Sequence, residues 1–145
     1  MNHSQKNSKY HYRFSVVRRC MLMWLALIVA EIAHGILRAI LLVPLVGEFR
    51  SNQIGVFTGS GIILLIAYLS IRWIGATSRS DLLMVGAIWL ALTVAFEVCF
   101  GLLVVGLPWE RIASDYNLLN GGLMPLGLLV LFFSPMIAAR LRKSV

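Results

Sequence analysis

Acidic side chains are scarce in this sequence: six Asp and Glu stand against thirteen Lys and Arg in 145 residues, and charged residues reach only 13%. A water-facing surface needs about twice that charged fraction, which excludes an ordinary soluble domain. Hydrophobic residues make up 59% of the chain and its mean hydropathy is +0.85. One core of this length cannot absorb so much apolar sequence, so a lipid bilayer is the expected surrounding. Cysteine is just as sparse. Cys20 and Cys99 form no CxxC pair, and two thiols make no disulfide framework. On spans one and three they would differ in depth by about 25 Å, so both are expected as packing thiols. Nucleophile-elbow and phosphate-loop motifs are missing as well. A net charge of +7 suggests nucleic acid only in a soluble protein. Here the basic residues cluster at segment ends, so no nucleic-acid partner is expected.

Four apolar stretches are present, at about Met21–Val46, Ile54–Ile74, Leu82–Leu107 and Gly121–Ala139. Each has roughly the twenty residues that a helix needs to cross a 30 Å hydrocarbon layer, and barrel strands would be shorter and strictly alternating. The predicted fold is all-α: a polytopic bundle of four transmembrane helices. It divides into a polar basic tail (1–19), expected to be disordered or to lie on the membrane surface, a membrane domain (20–140) and a basic end (141–145). The connections GEFRSNQ, GATSRSD and PWERIASDYNLLN are rich in turn formers or charge. Lys6, Lys9, Arg13, Arg18, Arg19, Arg72, Arg79, Arg140, Arg142 and Lys143 fall on one side, against Arg50 and Arg111 on the other. The positive-inside rule then puts both termini in the cytoplasm. The small size, the short loops and the apparent absence of a cleavable leader suit a bacterial inner membrane.

Gly55 and Gly59 have the small-xxx-small spacing of close helix packing. Trp24, Trp73 and Trp109 are expected at membrane interfaces, and Pro125 and Pro135 should kink the fourth span or delay its start. In the third connection Pro108 opens, and Asn120-Gly121-Gly122 closes, a short helix. Its stripe of Trp109, Ile112, Ala113, Tyr116 and Leu119 reads as amphipathic and interfacial. That helix is either an anchor or a lid over a pocket, with Trp109, Asp115, Tyr116, Asn117 and Asn120 as contacts.

Ionisable groups inside the spans carry the functional signal: Glu31, His34 and Arg38 in the first, Glu97 in the third. Each costs about 2.5 to 3.5 kcal/mol at mid-membrane and needs a partner, a cavity or a task. Glu31, His34 and Arg38 share one helix face, with Gly35 beside it to let a neighbour approach. Trp89, Thr93, Glu97 and Gly101 recur at every fourth position as a second stripe. Depth counting pairs Arg38 with Glu97 and leaves Glu31 and His34 as a separate acid–imidazole pair.

Three readings follow. One is a buried ion-pair network that fixes packing, in a structural or accessory subunit of a larger complex or a homo-oligomer. Another is proton- or ion-coupled transport, or a channel, with Glu31–His34 as relay and Arg38 as an anion site. The third is a membrane-embedded enzyme acting on a lipid-like substrate, metal-free or with Glu31, His34 and Glu97 as ligands through the Glu-x-x-His spacing. In span count and in Ala30-Glu31 the plan is similar to the small multidrug transporters. His34, Arg38 and the longer chain depart from them.

Overall fold

The computed structural model describes residues 3–143, apart from the side chains of residues 3, 4 and 6. The outermost residues of the two basic ends, 1–2 and 144–145, lie outside the described residues. The chain is all-helical, with four helices long and apolar enough to cross a membrane. Helix α1 runs His3–Leu41, α2 is the single turn Val43–Val46, α3 is Glu48–Ile74 and α4 is Arg79–Phe100. A π-helical turn, Gly101–Val105, extends α4. A short helix α5, Trp109–Asp115, and a 3-10 turn, Leu118–Asn120, precede α6, Met124–Leu141.

Two boundaries differ from expectation and a third, the late start of α6, follows it, each for a local reason. Residues 3–19 form no separate tail: α1 is already helical from His3 and runs unbroken into the first span. At 1.5 Å per residue its 39 residues extend about 58 Å, nearly twice a hydrocarbon layer. Tyr12 pins this extension to the α3–α4 turn, bonding the Gly75 carbonyl at 2.8 Å, Thr77 at 2.9 Å and Asp81 at 3.1 Å. The GEFRSNQ connection is likewise no loop. Pro44 opens α2, where its missing N–H breaks the α1 ladder, and Gly47 at φ +81° reverses the chain, so α3 starts at Glu48. Finally, α6 begins late, at Met124 with Pro125 in its first turn, where a missing donor costs nothing.

The α3–α4 turn is built as its sequence suggests. Gly75 ends α3 in left-handed conformation at φ +78°, and the Ser78 side chain accepts from the Asp81 N–H at 3.1 Å to cap α4.

The four long helices form a ring in the order α1, α3, α6, α4, with α1 opposite α6 and α3 opposite α4. Both termini and the 75–78 turn share one end of the bundle, here the terminal end; α2 and α5 occupy the other, the roof end. The terminal half is solid. Val16, Cys20, Leu27, Ala67, Ile71, Leu82, Val85 and Trp89 are all buried in one cluster, and the Trp89 indole donates to the Cys20 carbonyl at 3.0 Å. Cys20 packs here as expected, whereas Cys99 is exposed on the outer face of α4.

Candidate functional site

In the roof half the helices part around a cavity of about 520 Å³, inside the range of small-molecule sites. Leu27, Ile63, Leu128 and Leu131 form its floor, Glu31, His34 and Glu97 line its waist, and Arg38, Asn52 and Gln53 line its upper part. All five residues expected in the intramembrane cluster, Glu31, His34, Arg38, Thr93 and Glu97, face it.

Their pairing is not the expected one. Arg38 and Glu97 do not meet, and no carboxylate lies within 4 Å of Arg38 among the described residues. Its guanidinium donates instead to Ser51 at 3.3 Å and to the Asn52 side-chain oxygen. Gly47 explains the change: by starting α3 at Glu48 it stacks Ser51 and Asn52 beside the last turns of α1, closer than anything on α4. Glu97 accepts from the Tyr116 hydroxyl at 3.3 Å. A double-mutant cycle separates the two pairings. Arg38→Ala with Asn52→Ala should show a coupling of about 1.5 kcal/mol, typical of a hydrogen bond to a charged group. Arg38→Ala with Glu97→Ala should show almost none, and a larger coupling in the second cycle would restore the ion pair.

His34 bridges two helices. Its Nδ1 lies 3.3 Å from Glu31 Oε2 and its Nε2 lies 2.7 Å from the Thr58 hydroxyl. Thr58 donates its own proton to the Ile54 carbonyl at 3.1 Å, as helical threonines commonly do, so it accepts from Nε2–H. With Nε2 donating, Nδ1 is left to accept from a Glu31 acid or, when it carries a proton, to donate to the carboxylate. The other Glu31 oxygen, Oε1, is buried and has no hydrogen-bond partner. Such a group calls for an explanation, since leaving it unmet costs about 1 to 3 kcal/mol.

The glycines of α3 explain how the charges fit. A Cβ on Gly55 would lie 2.7 Å from Arg38 Cδ, and one on Gly59 would lie 3.0 Å from Glu31 Oε2. The small-xxx-small spacing thus makes room for two side chains rather than for a helix backbone. Gly35, expected to admit a neighbour, meets nothing within 4 Å and faces open cavity. The close helix approach occurs elsewhere, where Gly86 of α4 packs against the Phe132 backbone of α6.

The second stripe faces inward along α4. Trp89 is in the core, Thr93 accepts from the Trp24 indole at 3.0 Å, Glu97 meets Tyr116, and Gly101 lies under Ile112. Trp24 is therefore engaged inside the bundle rather than displayed at an interface, while Trp73 and Trp109 are exposed.

The third connection roofs the cavity, but not as one helix. Asn117 accepts the Leu119 N–H at 3.2 Å, an Asx-type bond that competes with the helix ladder, so α5 stops at Asp115 and a 3-10 turn follows. The expected stripe splits accordingly. Ile112 is buried, and Asp115, Tyr116 and Asn120 line the cavity, whereas Trp109 and Leu119 point outward and Asn117 serves its own turn. Gly121, at φ +84°, ends the turn. The roof is fastened to α3 by Arg111–Glu48 at 2.6 Å and by Gln53, which donates to the Gly121 carbonyl at 3.2 Å. Arg111 also holds Asp115 at 3.0 Å, and its bond to Glu48 raises the guanidinium above its ordinary range. Burial, with the Glu97 carboxylate beside it, pushes the Tyr116 hydroxyl up to about 12, so it remains a donor at neutral pH. Among the described residues no hydrogen bond or ion pair joins the roof to α1.

No protein-family model, curated protein or solved structure matches this chain. The site must therefore be read from its own chemistry. Sequence reasoning overlooked the α3 contribution: Ser51, Asn52, Gln53, Thr58 and Gly59. Asn52, Gly55 and Gly59 recur at helical spacing as a polar and small stripe, a signal hidden by treating residues 48–53 as loop. Among the described residues no three His, Cys, Asp or Glu side chains gather as a metal group. Glu31, His34 and Glu97, weighed above as possible ligands, are spread around the cavity wall instead.

Proposed function

We propose that this chain is an integral protein of a bacterial inner membrane, with both termini cytoplasmic, and that its intramembrane cavity binds a small solute whose passage is coupled to protons. The observation that carries this reading is the Glu31–His34–Thr58 chain. It sets a carboxyl oxygen 3.3 Å from an imidazole nitrogen in a cavity wall, a contact able to pass a proton, with the second carboxyl oxygen left free to meet a ligand. The solid terminal half and the roofed upper half suit a carrier whose cavity is shut off from both faces of the membrane. A purely structural network is less well supported, because it needs the Arg38–Glu97 ion pair. Ten basic residues on the terminal side against Arg50 and Arg111 on the other support the orientation.

Reconstituted protein should move protons when a transported solute is supplied, as read by a pH dye trapped in proteoliposomes. Glu31→Gln should abolish proton movement while the protein still assembles, because the amide cannot exchange a proton with His34. Undiminished proton movement in that variant would refute coupling through this pair.

A further inference from the structure

The cavity walls also restrict what kind of molecule fits. Among the described residues the bonds joining α1 to α4 all lie toward the terminal end: Tyr12 with Asp81, Cys20 with Val85 and Trp89, then Trp24 with Thr93. On the roof side of Trp24–Thr93 the seam carries no polar tie among the described residues. It is edged by Ile28 and Ile32 of α1 and by Phe96 and Phe100 of α4, all of which line the cavity. Ile32 is 39% exposed and Phe100 37% exposed, so these side chains face the cavity and the outside of the bundle at once. The outside of the bundle at this level is apolar. Ile36, Leu37 and Ile40 on α1, and Leu103 and Val104 beyond Phe100, are exposed, as lipid-facing residues are.

The polar requirements sit inside the cavity along its α1–α3 edge. Arg38 has no carboxylate partner, and Glu31 Oε1 has no donor. The two side chains lie against Gly55 and Gly59, one helical turn apart, or about 6 Å along α3. A molecule that satisfies both carries an anionic group and, one turn away, a hydroxyl or amine. The rest of the lining is predominantly apolar, and apart from Asn120 its polar side chains are hydrogen-bonded within the protein.

From this geometry we propose that the ligand is a single-chain amphiphile drawn from the membrane. Its anionic head rests on Arg38, a hydroxyl or amine of that head meets Glu31, and its chain passes through the α1–α4 seam. The proposal rests on the reading of the cavity as a ligand site but not on proton coupling.

Binding to the purified full chain is read by native mass spectrometry with three probes. Lysophosphatidate has the phosphate, the hydroxyl and the chain. Monoacylglycerol lacks the anion, and glycerol phosphate lacks the chain. One lysophosphatidate per protein is expected, with each of the other two at least tenfold weaker. Arg38→Gln should weaken lysophosphatidate at least tenfold while leaving monoacylglycerol unchanged. Because Arg38 also braces α3, a second variant guards against misfolding. A Cβ at Gly35 meets nothing within 4 Å, so Gly35→Phe directs a ring toward the cavity and should abolish binding in a protein of unchanged thermal stability. Glycerol phosphate binding as tightly as the lipid would make this a site for a soluble anion and overturn the proposal. So would lysophosphatidate binding that neither variant weakens. The measurement uses no gradient. Loss of proton movement alone therefore removes the transport reading and leaves the ligand class standing, while absent lysophosphatidate binding does the reverse.

Discussion

Gly86→Ala should destabilise the bundle by about 3 kcal/mol, near the top of what one added methyl group costs in a packed interior. The new Cβ would fall on the carbonyl oxygen of Phe132, with the Phe132 carbonyl carbon at 3.1 Å and its Cα at 3.5 Å. These are backbone atoms of a helix, and no rotamer change can move them away. α6 would have to shift as a unit, and α6 is the helix that joins α3 to α4. Unfolding in lipid nanodiscs provides the measurement, with Gly35→Ala as the control. At Gly35 a methyl group meets nothing, and replacing a mid-helix glycine gains up to about 1 kcal/mol of helix propensity. Equal stability of the two variants would mean that α4 and α6 are not in backbone contact.

Trp89→Ala should cost more, about 3 to 5 kcal/mol, the range for truncating a buried aromatic ring. Trp89 is the largest fully buried side chain in the protein, and its indole reaches across to the Cys20 carbonyl. The loss combines a cavity among Cys20, Val85 and their neighbours with one of the few bonds that hold α1 to α4. Trp89→Phe keeps most of the volume and should recover more than half of that loss. If the alanine variant unfolded like the wild type, the terminal half would not be the solid base that keeps the cavity closed at that end.

The architecture was legible in the sequence because its cause is collective: about seventy apolar residues in four blocks allow few arrangements in lipid. The faces were legible too, since Glu31, His34 and Arg38, and then Thr93 and Glu97, keep helical spacing and all reach one cavity. What a single sequence hid was which partners meet. Arg38 and Glu97 agree in depth, yet depth says nothing about which neighbour stands nearer around the ring. One residue, Gly47, moved the start of α3 and handed Arg38 to Ser51 and Asn52. The glycine pair at 55 and 59 misled for a related reason: its spacing shows that something comes close, not whether that is a backbone or a side chain. Asn117 misled as well, because an Asx bond over two residues leaves no trace in a four-residue period.

The ring order has a consequence for how the protein is made. Consecutive membrane helices usually settle side by side as hairpins, and α1 with α3 obeys this. Helices α3 and α4 do not; joined by the short turn at 75–78, they stand on opposite corners. When α4 leaves the ribosome, its only available surface is its seam with α1, and Gly86 waits uncovered. The bundle closes when α6 enters between α3 and α4. Assembly is therefore completed by α6, and a nascent protein stalled before Gly121 would hold three helices without the one that packs between α3 and α4.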